Sequence, residues 1–322
     1  MRPRERFITA LELGVPDEVP AFELEFQLTQ ELLGKEFIDL HNWQDLSQAE
    51  REGNIAYTAD LYLGIAEAMD YSAIMVVQPR GDLISKYEVV RRIREVSGGE
   101  YFVLIHDGGT YYIPDGDELA EFCFRIADDP DGVKRQADSM VDAAISRARV
   151  AMDYGVEGIA ECCDYCFNAG PFLSPDMFAE IVTPYLTRLM AAYREMGLYT
   201  INHTDGDIRP IMDQLAGCGS HALHSLDPMA GVDIAEVKRL YGDRLCLIGN
   251  VNCALMQTGT DEDILRSAEY AIANGKPRGG YVFSLSNVVY KGIELEKYRL
   301  VQGVWKKYRA YGQGPALGSN TW

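Results

Sequence analysis

The sequence contains no apolar run approaching the roughly 20 residues that cross a bilayer, so no helical membrane anchor is expected. It has no cluster of lysine and arginine. Thirty basic side chains face 49 acidic ones, and the formal net charge of −19 disfavours nucleic-acid or anionic-membrane partners, whose phosphates need clustered cations. The opening Met1-Arg2-Pro3-Arg4-Glu5-Arg6 lacks the apolar core of a signal peptide, which leads us to expect a cytoplasmic protein. Seven cysteines, an odd number, fit reduced thiols better than a disulfide framework. There is no G-x-G-x-x-G and no P-loop, hence no support for a nucleotide cofactor, and no short repeat or low-complexity segment.

What is present is a large apolar fraction, 47%, distributed in a regular alternation. A helix is expected at 4–13. Strands are expected at 21–26, 71–77, 101–106, 158–165, 198–205, 221–227, 245–250 and 280–286. Helical patterns at 28–33, 47–64, 118–127, 132–154, from Ser174, and at 208–215, 234–241, 261–274 and 294–311 separate them. The run at 71–77 is continuously apolar, as in strands covered on both faces of a parallel sheet. Eight strand–helix units predict an α/β chain, a (β/α)8 TIM barrel with an N-terminal helical extension, as one domain over 1–312 with a tail at 313–322. A doubly wound open sheet is the alternative.

The stretch at 198–209 carries the densest chemistry. An apolar run ends in His203-Thr204-Asp205-Gly206, and strand alternation puts His203 and Asp205 on one face. The bland reading is a hydrogen-bonded histidine followed by turn chemistry, with Gly206 supplying a positive φ. In a barrel, the strand ends also collect Glu25, His106, Asp107, Asp164, Asp227, Asn250, Ser284, Ser286 and Asn287 in one mouth, where active sites of that fold are built. Oxygen and imidazole donors so placed suit a catalytic zinc with an open position. Cys163-Asp164-Tyr165-Cys166 is a C-x-x-C without a second half-site; its thiols read as buried small side chains or as a thiolate lent to the His203 site. Glu23 and Glu25 share one face of the first strand, with Glu25 assigned to the mouth.

Several segments together resemble the uroporphyrinogen decarboxylase superfamily. They are Arg4-Glu5-Arg6-Phe7 with Asp17-Glu18-Val19-Pro20, Gly249-Asn250-Val251 after Leu240-Tyr241-Gly242-Asp243, and Gly279-Gly280-Tyr281-Val282-Phe283. The resemblance implies a (β/α)8 barrel and either tetrapyrrole decarboxylation or methyl transfer with cobalamin proteins or thiol acceptors. Two departures argue against decarboxylation. The arginine-rich segment expected after the first strand reads Glu25-Phe26-Gln27-Leu28-Thr29-Gln30, and Ala73 replaces the catalytic aspartate. The methyltransferase branch carries H-x-C and a later cysteine as zinc ligands; here Asp205 replaces the first cysteine, and Ser284, Ser286 and Asn287 stand where the later one falls. Ser174-Pro175-Asp176-Met177-Phe178 is similar to relatives that demethylate methoxylated aromatics or other small methylated compounds. The chain lacks the corrinoid-binding D-x-H-x-x-G, since Leu104 occupies its aspartate position, so the corrinoid belongs to a partner protein.

The resulting expectation is a methyltransferase acting between a small methylated compound and a separate corrinoid protein, with a homodimer as one state of assembly. His203, Asp205 and Asp164 are the expected catalytic residues, and His203, Asp205, Glu161 and Cys163 the expected zinc ligands. Glu25, His106, Tyr165, Asp227, Asn250, Ser286 and Asn287 are expected to contact substrate. The alternatives are a decarboxylase acting on a tetrapyrrole or other acid, and a binding protein on the same barrel.

Overall fold

Seven short apolar runs pair in chain order into one parallel sheet: β1 (Ala73–Val76), β2 (Phe102–Asp107), β3 (Gly158–Cys162), β4 (Tyr199–Thr204), β5 (Ala222–Ser225), β6 (Cys246–Gly249) and β7 (Tyr281–Val282). This is a computed structural model, and it describes residues 1–38, 43–80 and 82–315. Pleating sends alternate residues to opposite faces, and the core divides accordingly. Met75, Leu104, Ala160, Ile201 and Ile248 form an inner cluster on the concave side of the curled sheet. Their neighbours Ile74, Val103, Ile159 and Leu247 pack outward against the helices. Parallel register, with Met75 opposite Leu104 and Ala160 opposite Ile201, keeps each inner row aligned.

The N-terminal helix Pro3–Leu11 begins on a proline at its first position, where the missing N–H costs nothing. It closes one end of the inner cluster: the Phe7 ring lies 5.5 Å from Phe22 and 5.0 Å from Phe102. The segment expected as the first strand is not regular. It reaches both sheet edges through single bridges and bonds: Ser72 N–H to Ala21 O at 2.8 Å, Phe22 N–H to Phe283 O at 3.1 Å, and Phe283 N–H to Pro20 O at 2.8 Å. Pro20 has no N–H to continue a ladder. The run at 280–286 is likewise regular only over Tyr281–Val282.

Helix Leu83–Ser97 was not anticipated from the sequence. Lys86, Glu88, Arg91, Arg92, Arg94 and Glu95 mask its apolar period, yet Tyr87, Val89, Val90 and Ile93 bury one face. Asp82 caps it, accepting the Ile84 N–H at 3.0 Å. The helix expected at 208–215 is a tight turn, Arg209–Ile211, running into Met212–Gly217. Among the described residues no helix is long and apolar enough to cross a membrane. Most of the expected tail at 313–322 lies outside the described residues.

Candidate functional site

His203 occupies the inner row of β4 near its C-terminal end, with Cys162 of β3 and His224 of β5 as its register partners. Two residues on, Asp205 has left the strand, and Gly206 turns the chain with φ +81°, the positive angle expected of it. One ligand atom from each of Asp164, His203 and Asp205 lies within 4.8 Å of the other two. The carboxylates are held by the chain itself. Asp164 Oδ1 accepts the Asp205 N–H at 3.1 Å, and the Asn287 amide donates a short hydrogen bond to Asp205 Oδ2. Asp205 Oδ1 is buried and makes no close hydrogen bond, with the Ser225 hydroxyl the side chain near the carboxylate. Burial pushes the Asp205 carboxyl upward, opposed by His203.

The imidazole of His203 is also braced. Its Nδ1 lies 2.7 Å from Nδ1 of His224, so one nitrogen donates and the other accepts. His224 is fully buried, and burial followed by the neighbouring His203 holds it well below the usual histidine range, leaving it neutral. Behind it, His224 Nε2 meets Ser284 Oγ at 3.4 Å, and Ser284 donates to Glu23 Oε2 at 3.0 Å. Glu23 also accepts from Leu285 N at 3.1 Å and from the Tyr298 hydroxyl at 3.0 Å. A hydrogen-bonded file thus runs from the mouth into the core. With Nδ1 engaged, Nε2 of His203 is the ring nitrogen left for a ligand, the arrangement common to metal-binding histidines.

His203 lines a cavity of about 430 Å3 on the concave side, together with Glu25, Lys86, His106 and Cys162, and with an apolar wall of Leu24, Met75, Val77 and Val288. Glu25 is paired with Arg80 at 3.0 Å. Burial, followed by the nearby Lys86, holds His106 down to about 4, so it is neutral; its Nδ1 is buried without a partner. Burial pushes the Cys162 thiol far up, which leaves it protonated.

Other expected residues lie elsewhere. Glu161 and Cys163, expected as zinc ligands, lie outside the cluster of Asp164, His203 and Asp205. Glu161 is fully buried, and its Oε1 accepts from Gly109 N at 2.7 Å and from the Cys163 thiol at 3.3 Å. Tyr165, expected to contact substrate, lies in the core, its hydroxyl 2.7 Å from that of Thr110 and its ring edge-on to Phe178. Ser286 is 1% exposed and accepts from Cys253 N at 3.4 Å, a structural role. Asp227 caps the turn after β5, accepting from Met229 N at 2.9 Å. Asn250 donates to Leu226 O at 2.9 Å and lines a separate cavity of about 310 Å3 with Asn252, Asp233 and Tyr270. Glu23, paired with Glu25 in the sequence, is a core residue instead.

His224 and Lys86 were missed. His224 had a signal, being a polar side chain in the inward register of an apolar strand. Lys86 had none once its helix went unassigned.

Comparison with known proteins adds a family. The profile described as Uroporphyrinogen decarboxylase (URO-D) matches residues 110–308. The chain is 23% identical to the uroporphyrinogen decarboxylase of Thioalkalivibrio sulfidiphilus over 246 residues, covering 72% of this chain and 67% of that one. It is 29% identical to the methylcobamide:CoM methyltransferase MtaA of Methanosarcina barkeri over 140 residues, 43% of this chain and 39% of that one. The solved structure of a methyltransferase from Methanosarcina mazei superposes with a TM-score of 0.73 at 18% identity, covering 95% and 98% of the two chains, which establishes a shared fold.

Proposed function

Because the chain belongs to the uroporphyrinogen decarboxylase (URO-D) family, we propose that it is the methyl-transferring kind of member, moving a methyl group between a small O- or N-methylated compound and the cobalt of a separate corrinoid protein. The observation that carries this reading is the convergence of Asp164, His203 and Asp205 on one point, with His203 also lining a cavity of about 430 Å3, a size for a small molecule. Tetrapyrrole decarboxylation is disfavoured by Ala73, which is 1% exposed and offers no acid where the resemblance implies one. The MtaA similarity supports methyl transfer and a corrinoid partner.

The donor set fits zinc. Two carboxylates and an imidazole of suitable hardness converge, and the buried Asp205 Oδ1 makes no close hydrogen bond, with only the Ser225 hydroxyl near the carboxylate. When bound, the metal supplies a Lewis acid that offsets negative charge on the heteroatom losing its methyl group. The chain's own contribution is positional. His224 fixes the ring of His203, Asn287 and Asp164 fix Asp205, and the apolar wall keeps water from the methyl group. We include in this proposal that the 20–26 segment serves as the eighth strand, closing a single-domain barrel over 1–312.

The test combines metal analysis of the purified protein with the absorbance change of methyl-cobalt formation, using a panel of methyl ethers and methylamines and a reduced corrinoid protein. Zinc in the wild type, its loss in His203→Ala, and loss of methyl-cobalt formation in that variant are expected. Methyl transfer that survives His203→Ala without zinc overturns the assignment, and carbon dioxide release without a corrinoid protein identifies a lyase.

A further inference from the structure

Lys86 lies on the cavity side of helix Leu83–Ser97, 6% exposed, and makes no hydrogen bond or ion pair among the described residues. The side chain is largely buried but its ammonium is not sealed off: it opens onto the cavity, where a ligand could meet it. The nearby charges do not compensate it. Asp107 is taken by Arg147, with contacts of 2.8 to 3.2 Å, and Glu25 is taken by Arg80. Burial lowers the Lys86 pKa, with Asp107 opposing. Beside it, neutral His106 presents an unsatisfied polar atom, its buried Nδ1. A cation without an ion-pair partner and an unsatisfied imidazole nitrogen line one substrate-sized cavity, along with an Arg80 already paired to Glu25, and together they suit an anionic group.

We propose that Lys86, assisted by His106, is the substrate's anion anchor, so that the methylated compound carries a carboxylate at the end remote from its methyl group. This rests on the methyl-transfer reading for the word "methylated", but the anchoring itself does not. The geometry sets the ligand's form. His106 on β2 and His203 on β4 are separated by β3, two strand spacings or roughly 10 Å. Leu24, Met75, Val77 and Val288 supply an apolar surface in the same cavity. A flat or slender apolar body with a carboxylate at one end and a methylated heteroatom at the other spans that distance; para-methoxybenzoate is such a molecule. Lysine as a compact point charge suits a single carboxylate on a small ligand.

The experiment is calorimetric titration of the purified protein, without metal or corrinoid protein, with para-methoxybenzoate and with para-methoxybenzamide, which differs only in charge. The wild type is expected to bind the carboxylate roughly tenfold or more tightly than the amide. Lys86→Met is expected to abolish that preference while leaving amide binding intact. Equal binding of the two ligands by the wild type, no binding of the carboxylate, or a preference surviving in Lys86→Met overturns the inference. The wild-type comparison needs no variant to fold. Carboxylate preference without methyl transfer sinks only the proposed reaction, whereas methyl transfer without carboxylate preference sinks only the anchor.

Discussion

Glu23 ends the hydrogen-bonded file behind His203, and its environment decides how the protein responds to pH. Burial pushes its carboxyl up to about 8, against the lowering effect of Leu285 N–H and the Tyr298 and Ser284 hydroxyls. The folded state therefore keeps a proton that the unfolded chain releases near 4.5. Stabilisation from that proton is complete below the unfolded value and is lost as pH rises through the folded one, so resistance to denaturant should fall between these limits by roughly a few kcal/mol. Glu161, raised by burial to about 7, acts with the same sign. Denaturant titrations across that range should show Glu23→Gln with a shallower pH slope than the wild type but not a flat one. Identical slopes would place the proton elsewhere.

Among the elements, the turn after β4 shows what was legible in the sequence and what was not. The alternation of an apolar run ending in His203 and Asp205, and a glycine whose side-chain-free backbone permits φ +81°, are local properties, and both were readable. The partners were not. Which strand lies beside β4, and hence that His224 rather than Glu161 or Cys163 meets His203, follows from pleat and register between segments about twenty residues or more apart. Glu161 and His203 sit on neighbouring strands, but Glu161 faces the helices. The same turn supplies a prediction. A Cβ on Gly206 would collide with the backbone carbonyls of Cys166 and Phe167, which belong to the strand pair Cys166–Phe167 and Gly170–Pro171 just beyond Asp164. Gly206→Ala combines that clash with an unfavourable φ, and should cost roughly 1–3 kcal/mol. It should also weaken zinc binding, because Asp205 and Asp164 are held together across this contact. Stability and metal affinity falling together would support that coupling; stability alone would leave the turn a structural feature only.

For the whole molecule, the division into an inner and an outer core explains why the interior of the sheet opens into the His203 cavity at one end and is plugged by packed apolar side chains toward the other. The helix Pro3–Leu11 fills the lower end with Phe7, which is fully buried against Phe22 and Phe102, while the upper inner positions pass from apolar to His106, Cys162, His203 and His224. The alternation that predicted strands and helices captured this layering, but the plug was legible only as a helix, since its packing partners come from residues 22 and 102. Truncating Phe7 therefore tests whether the two ends are separate. Phe7→Ala removes an aromatic side chain from a packed site and should destabilise by roughly 3–5 kcal/mol, read as a lower denaturant midpoint. Because none of the plug's own residues lines the mouth cavity around His203, carboxylate and zinc affinities per folded molecule should match the wild type. A loss of affinity in fully folded Phe7→Ala would show instead that the plug tensions the sheet, and that the mouth depends on how tightly the lower end is packed.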